Sequence, residues 1–418
     1  MLSQETIPVP IEDAACEPSS EAARAVRRTD VVIIGAGLAG NVAASTLARA
    51  GIDVVIIDAA AVVPPSLRAE KLGTPILALF DRLGLGETVR AAATPISSVW
   101  IARFGRVMTR RTRREYAFAY KDLVTALRAV LPERAELRYG RVTDIASGAD
   151  LQRVTLNDGS VVEGRLLVVA TGPGAAIHRR VGIDIVDAQR DHSICIGFYL
   201  KAPPAAFPFE SIVYYGERWN DRVSYISLFP IGSRMRANLF VYREHDEPWM
   251  QAFRADPTET LRRTLPNLER VCGPIEIAGN LDIRPIDLRQ TQGHERAGVV
   301  LIGDAYCTSC PVSGTGMHKA LIDVERLCRE YVPAWLATPG MDADKISAFY
   351  ADTVKTQFDR NSLAISNRLR GLAVGRGARW RVSRAAAKAR SACVFTAHRC
   401  AHLAAVLATP IAEFLERI

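Results

Sequence analysis

The chain of 418 residues is 49% apolar and carries 53 Lys and Arg against 45 Asp and Glu, a formal charge of +8. That balance suits a soluble enzyme and supplies a large core, enough for two domains. No stretch approaches twenty uninterrupted apolar residues, which excludes a transmembrane helix, and no basic run is interleaved with aromatics as nucleic-acid readout requires.

In chain order, residues 1–29, with Pro8, Pro10 and Pro18 among several acids, read as a disordered tail. Arg27-Arg28 ahead of an apolar run has the look of a twin-Arg export signal. That run is better read as a first strand whose removal would destroy a binding site, so the chain is expected to stay cytoplasmic. Val31–Ile34 has the unbroken apolar character of a strand buried on both faces. Gly35-Ala36-Gly37-Leu38-Ala39-Gly40 follows with G-x-G-x-x-G spacing. Asn41–Ala50 is a helix former closed by Gly51, and Ile52–Ile57 is a second strand ending at Asp58. This is the pattern of a dinucleotide site. Gly35, Gly37 and Gly40, with Leu38 and Ala39 between them, let the backbone approach a diphosphate at a helix N-terminus, while Asp58 accepts hydrogen bonds from a ribose.

A second strand-to-glycine turn lies far downstream. Val299–Ile302 runs into Gly303-Asp304, followed by Pro311-x-x-Gly314-Thr315-Gly316-Met317 and a helix-forming stretch. Either turn alone suggests a nucleotide; the pair suggests FAD, which has two ends to hold. Segments 92–117 and 189–283 alternate apolar and polar residues, as strands of a separate sheet do. Residues 30–91, 118–188 and 284–335 are assigned to the nucleotide domain, and residues 336–418 read as helices interrupted near Gly375 and Pro410.

On these residues the chain resembles the single-component (group A) FAD-dependent monooxygenases, or aromatic hydroxylases, relatives of flavin halogenases and geranylgeranyl reductases. The resemblance implies an α/β fold: a Rossmann-like FAD-binding domain of the GR2 type, an inserted β-sheet substrate domain and a helical C-terminus. It implies that Asp304 holds the ribityl chain and that Pro311, Gly314, Thr315, Gly316 and Met317 lie beside the isoalloxazine at a helix N-terminus. It also makes Arg68, in SLRAEKLG, the contact to the diphosphate, and gives the Tyr120–Leu123 stretch a flavin contact. NAD(P)H, with NADPH favoured, is implied as a transient reductant, and a C4a-hydroperoxyflavin as the oxygen donor to an electron-rich substrate. Thr171-Gly172 stands where the family usually has Asp-Gly, which puts direct use of reduced nicotinamide in doubt.

Other readings stay open. A halogenase would need a Lys near the flavin, for which Lys71 is the placed candidate; an isoprenoid-type reductase or cyclase, or a non-catalytic flavin-binding accessory protein, would use the same fold. Cys307-x-x-Cys310 is read as two buried thiols, with a redox dithiol or a flavin thioether as alternatives; no metal is expected, because a second ligand pair at zinc spacing is missing. His192, Tyr214, Tyr215, Tyr225 and His318 are titratable, yet none is distinguished as a catalytic base. Arg103, Arg106, Arg110, Arg111, Arg113 and Arg114 form one basic cluster, and a second spans Arg368–Arg399 with Lys388 and Arg390. Solvated faces explain such runs, or else they meet NADPH phosphates, a peptide or carrier-bound substrate, or an anionic membrane surface, for which Leu403, Leu407 and Ile411 recur at helical spacing. The oligomeric state is not legible.

Overall fold

The computed structural model describes residues 26–386 and 389. Most of the expected N-terminal tail, and Lys388, Arg390, Leu403, Leu407, Pro410 and Ile411 of the C-terminal readings, lie outside the described residues.

In chain order the strands are β1 (Val26–Ile34), β2 (Val54–Asp58), β3 (Lys71–Gly73), β4 (Thr94–Arg103), β5 (Arg106–Ala117), β6 (Ala135–Tyr139), β7 (Val142–Ser147) and β8 (Gln152–Leu156). They continue as β9 (Val161–Val169), β10 (Asp184–Leu200), β11 (Ser211–Tyr215), β12 (Val223–Ile231), β13 (Arg234–Val241), β14 (Ile277–Gln292) and β15 (Val299–Leu301). They divide between two sheets. In the first, β6, β2, β1 and β9 run parallel, β15 joins the second half of β9, and an antiparallel β8-β7 pair flanks its first half.

The four apolar residues that close β1 explain why this sheet is covered on both sides. Val31 and Ile33 pack with Val42, Leu47, Leu123 and Leu321 from helices on one face. Val32 and Ile34 pack with Ile145, Val154 and Val162 on the other. A strand whose neighbours are parallel needs both layers, and its sequence loses the polar alternation of a half-exposed strand.

The second sheet has the order β14-β10-β13-β12-β11-β4-β5-β3. Here alternation is restored. Ile194, Ile196 and Phe198 of β10 join a core with Phe253 and Leu261 of the short helices Pro248–Ala255 and Pro257–Thr264, while Cys195 between them points to the opposite face. That opposite face looks across at the first sheet's glycine turns.

The limits of the expected segments and the place of one strand differ from the sequence reading. β1 begins at Val26, because Val26–Thr29 pair with Val161–Gly164 of β9. β3, allotted to the nucleotide domain, pairs with β5 of the second sheet. β10 and β14 pair from Asp184 to Gln292, beyond the limits set at residues 188 and 284, because the two long strands run continuously past both layers. The Thr353–Val374 helix then packs across the Gly316–Arg326 helix and β12.

Candidate active site

The first turn is built by backbone geometry. Gly35 donates its N–H to Ile57 O at 2.7 Å and holds φ +105°. A Cβ there would lie 2.6 Å from Ala170 O, and one on Gly40 would lie 1.9 Å from Gly35 O. Gly40 thus seats the Leu38–Arg49 helix against the turn rather than lining the cavity, a correction to its expected contact. Gly37 does face the cavity, with the Tyr120 hydroxyl as nearest neighbour to the space a side chain would fill.

Asp58 ends β2 beside this turn. Its Oδ2 accepts from Ala36 N at 2.7 Å and lies 3.1 Å from Arg128 Nη2; its Oδ1 accepts from Ala60 N. Arg128 also donates to Ala36 O and Ala60 O, locking the turn from below. Sequence reasoning missed Arg128. Its only signal was a basic residue in the last turn of the Tyr120–Ala129 helix, which many helices carry. Replacing Asp58 by Ala removes charge-assisted hydrogen bonds worth roughly 1.5–3 kcal/mol, so FAD affinity should fall about ten- to a hundredfold, read by titrating apoprotein with FAD.

Midway along the cavity, Arg68 places Nη1 3.9 Å from Asp304 Oδ2, and its guanidinium carbon is 5.5 Å from the Tyr120 ring centroid. A Cβ on Gly172 would touch Arg68 Nη1 at 3.3 Å. Residues from four distant segments therefore meet where the two glycine turns approach. Arg284, unnoticed in the sequence, joins them and donates to Leu67 O. Its guanidinium is held below the usual Arg range by burial and by the neighbouring Arg68.

At the far end, Gly303 donates its N–H to Asp323 Oδ2 at 2.9 Å. Asp323 is clamped by Lys319 Nζ at 3.2 Å and Lys355 Nζ at 2.8 Å, and Lys355 also reaches Asp359 at 3.0 Å. Burial works against the Asp323 carboxylate, but the two ammoniums outweigh it and hold its pKa below the ordinary value. Pro311–Ser313 form one tight turn, Gly314 reverses the chain, and the Gly316–Arg326 helix opens with Gly316 and Met317 at the cavity wall. Thr315 is turned away, contrary to expectation: its hydroxyl is shared with those of Ser313 and Ser362.

These parts border one cavity of about 870 Å³. Gly35, Gly37, Leu38, Ala39, Asp58, Arg68, Gly303, Asp304, Pro311, Gly314, Gly316 and Met317 line it. Its ceiling is the second sheet, including Val99, Ile101, Val213, Phe229 and Phe240. Tyr215 and Tyr225 line it as well, Tyr225 donating to Val312 O, whereas Tyr214 is committed to Glu217 and to the Gly105 amide in the apolar core behind the sheet. His192 and His318 are not at the wall. Burial, with Arg370 nearby, drives the His192 pKa down to about 4, so it is neutral at physiological pH. Cys307 and Cys310 are both free thiols set behind the loop; Cys310 packs against Ser193, and burial raises both thiols. Lys71 reaches the cavity but pairs with Glu115 at 2.7 Å.

The residues present fit FAD. The wall beside Asp58 is bare backbone, Arg68 stands between the turns, and a helix N-terminus closes the opposite end, with one continuous space between them. This fold and site define a flavin-dinucleotide oxidoreductase. The family model described as "FAD binding domain" matches residues 28–332, and the chain belongs to that family, as an FAD-dependent oxidoreductase of the monooxygenase and hydroxylase type. Ubiquinone hydroxylase UbiL of Rhodospirillum rubrum is 24% identical over 73% of this chain and 72% of its own length. The 2-heptyl-3-hydroxy-4(1H)-quinolone synthase of Pseudomonas aeruginosa is 29% identical over 72% of this chain and 80% of its own. Dialkyldecalin synthase of Streptomyces rugosporus is 26% identical over 71% and 64%. The crystal structure of p-nitrophenol 4-monooxygenase from Pseudomonas putida shares the fold, with a TM-score of 0.70 at 17% identity over 88% of this chain and 93% of that one. No helix among the described residues is long and apolar enough to cross a membrane.

Proposed function

We propose that the chain is an FAD monooxygenase reduced by NAD(P)H, with NADPH favoured, that adds one oxygen atom to an electron-rich aromatic or heterocyclic small molecule. The continuity of the cavity carries this reading: the same space that begins at Asp58 passes the Pro311–Gly316 loop and ends under an apolar and aromatic ceiling. Bound FAD would supply the electrons and the activated oxygen. The chain's part is placement. Asp58 and the Gly35–Gly40 turn hold the adenosine end, Arg68 the diphosphate, Asp304 the ribityl chain, and the amides of Gly316 and Met317 stabilise negative charge at the ring's pyrimidine end. Val99, Ile101, Val213, Phe229 and Phe240 exclude water from the reacting space and take the substrate ring. The relatives named for ubiquinone and quinolone chemistry support a ring-shaped substrate.

A second reading, a cyclase that uses the fold without activating oxygen, is favoured by Thr171 at the position of the family's Asp and by the dialkyldecalin synthase among the relatives. NADPH oxidation and oxygen uptake by the holoenzyme, followed with and without candidate rings, separate the two. NADPH-dependent oxygen uptake with peroxide release is the expected result; a flavin that neither NADPH nor NADH reduces would rule out the oxygenase.

A further inference from the structure

The apolar ceiling ends in a basic edge. Arg111 and Arg113 of β5 line the cavity and are exposed at its open side. Among the described residues neither side chain has a hydrogen-bond or ion-pair partner. Their neighbours are committed: Arg110 stacks 4.3 Å from the Trp100 centroid, Lys71 pairs with Glu115, and Arg68 faces Asp304. Arg111 stands opposite Val99 in the register of β4, next to the apolar ceiling. The register then shifts between Ile96 and Ser98, a bulge that sets Arg113-Arg114 against Ser97, and such bulges re-aim side chains beside binding sites. Alternate strand residues stand about 6.6 Å apart, so two long guanidinium arms can close on one anion.

We propose that Arg111 and Arg113 form an anion subsite for the carboxylate or phosphate of an amphipathic substrate whose ring system lies along Val99, Ile101, Val213 and Phe229. This rests on the oxygenase reading and adds to it the substrate's charge. The cofactor's own diphosphate has Arg68 at the meeting of the glycine turns, so the β5 pair is not needed for it. An unpaired pair of guanidiniums at the end of an apolar cavity selects a molecule with an apolar body and an anionic end.

The test uses oxidised holoenzyme and needs no turnover, so its failure is distinct from failure of the oxygenase reading. Naphthalene-2-carboxylate, 2-naphthyl phosphate and the neutral naphthalene-2-carboxamide are titrated by calorimetry and by perturbation of the flavin spectrum. The anions should bind about tenfold more tightly than the amide, the low end for an exposed charge-assisted contact, and lose that lead in high salt. The R111Q/R113Q double variant, altered only at exposed strand positions and checked for full flavin content, should lose the preference and keep the amide affinity. Equal binding of anions and amide, including no measurable binding of any of them, overturns the proposal, as does a preference that survives in the double variant. Steady-state reduction with NADPH and NADH is the second arm. A rise in KM confined to NADPH would assign the pair to the 2′-phosphate and remove it from the substrate.

Discussion

Gly35→Ala is expected to purify with little flavin and to need at least about thirtyfold more FAD than the parent for saturation. Two costs add at this residue. Holding a non-glycine residue at φ +105° costs roughly 1–3 kcal/mol. Its Cβ would also stand 2.6 Å from a backbone oxygen, Ala170 O, which cannot rotate away as a flexible side chain could, and overpacking of that kind costs roughly another 1–3 kcal/mol. The sum, roughly 2–6 kcal/mol, falls on a turn at the cavity wall, so FAD should weaken by about thirtyfold or more. Gly51→Ala is the control. Gly51 also has positive φ (+85°), but its Cβ would meet nothing within 4 Å. That variant should lose some stability and stay yellow. Flavin absorbance on purification and fluorescence titration of the apoprotein measure both; a Gly35→Ala protein that binds FAD like the parent would refute the reading of this turn.

Asp323→Ala should destabilise the fold by about 3–5 kcal/mol in urea unfolding, because it leaves the buried ammoniums of Lys319 and Lys355 without their shared counter-ion. It also strands the Gly303 N–H, so FAD release should accompany partial unfolding. Asp359→Ala should cost less, since that carboxylate is partly exposed and Lys355 keeps Asp323. The pH dependence follows from the same cluster. The Asp323 carboxyl has a folded pKa below its unfolded value, so its contribution is fully present above about pH 4 and is lost as the pH falls through the lower folded value. Lys319 is shifted upward: burial opposes its charge, but Asp323 and then Cys307 and Asp359 outweigh that. Its contribution holds below the ordinary Lys pKa and fades only as the pH rises through the folded one. Stability from the cluster should therefore be flat through neutral pH and fall in acid, and the part of the acid limb owed to Asp323 should be missing from Asp323→Ala. A parent and variant with the same acid midpoint would contradict this.

Local chemistry made much of the cavity wall legible. The glycines, Asp58 and the Pro311–Gly316 loop act within a few residues of a strand end, and a backbone turn that excludes side chains must be written as glycine wherever it occurs. Gly40 and Thr315 show the limit of that reading. Both belong to the right motif, yet whether such a residue meets the cavity or braces the turn depends on what packs behind it: the Gly35 carbonyl with the distant Ala170 in one case, Ser362 of a distant helix in the other. Arg128 and Lys355 were invisible for the same reason. Each is one basic residue in an ordinary helix until a distant carboxylate is brought against it.

The sequence by itself determined the doubly covered parallel sheet, the two glycine turns, the cofactor class and the presence of a second sheet, because period, burial and spacing are short-range properties. Only the tertiary structure decided which face of that second sheet roofs the cavity, that β3 belongs to it, and that Arg111 and Arg113 end up at the cavity edge without partners while Arg110 is stacked on Trp100. Those outcomes depend on strand register between segments apart in the chain, from Leu72 of β3 beside Tyr116 of β5 to Val99 of β4 beside Ser211 of β11. Shifting one such pairing by a single residue turns every side chain to the other face, and nothing local in the chain records which way it went.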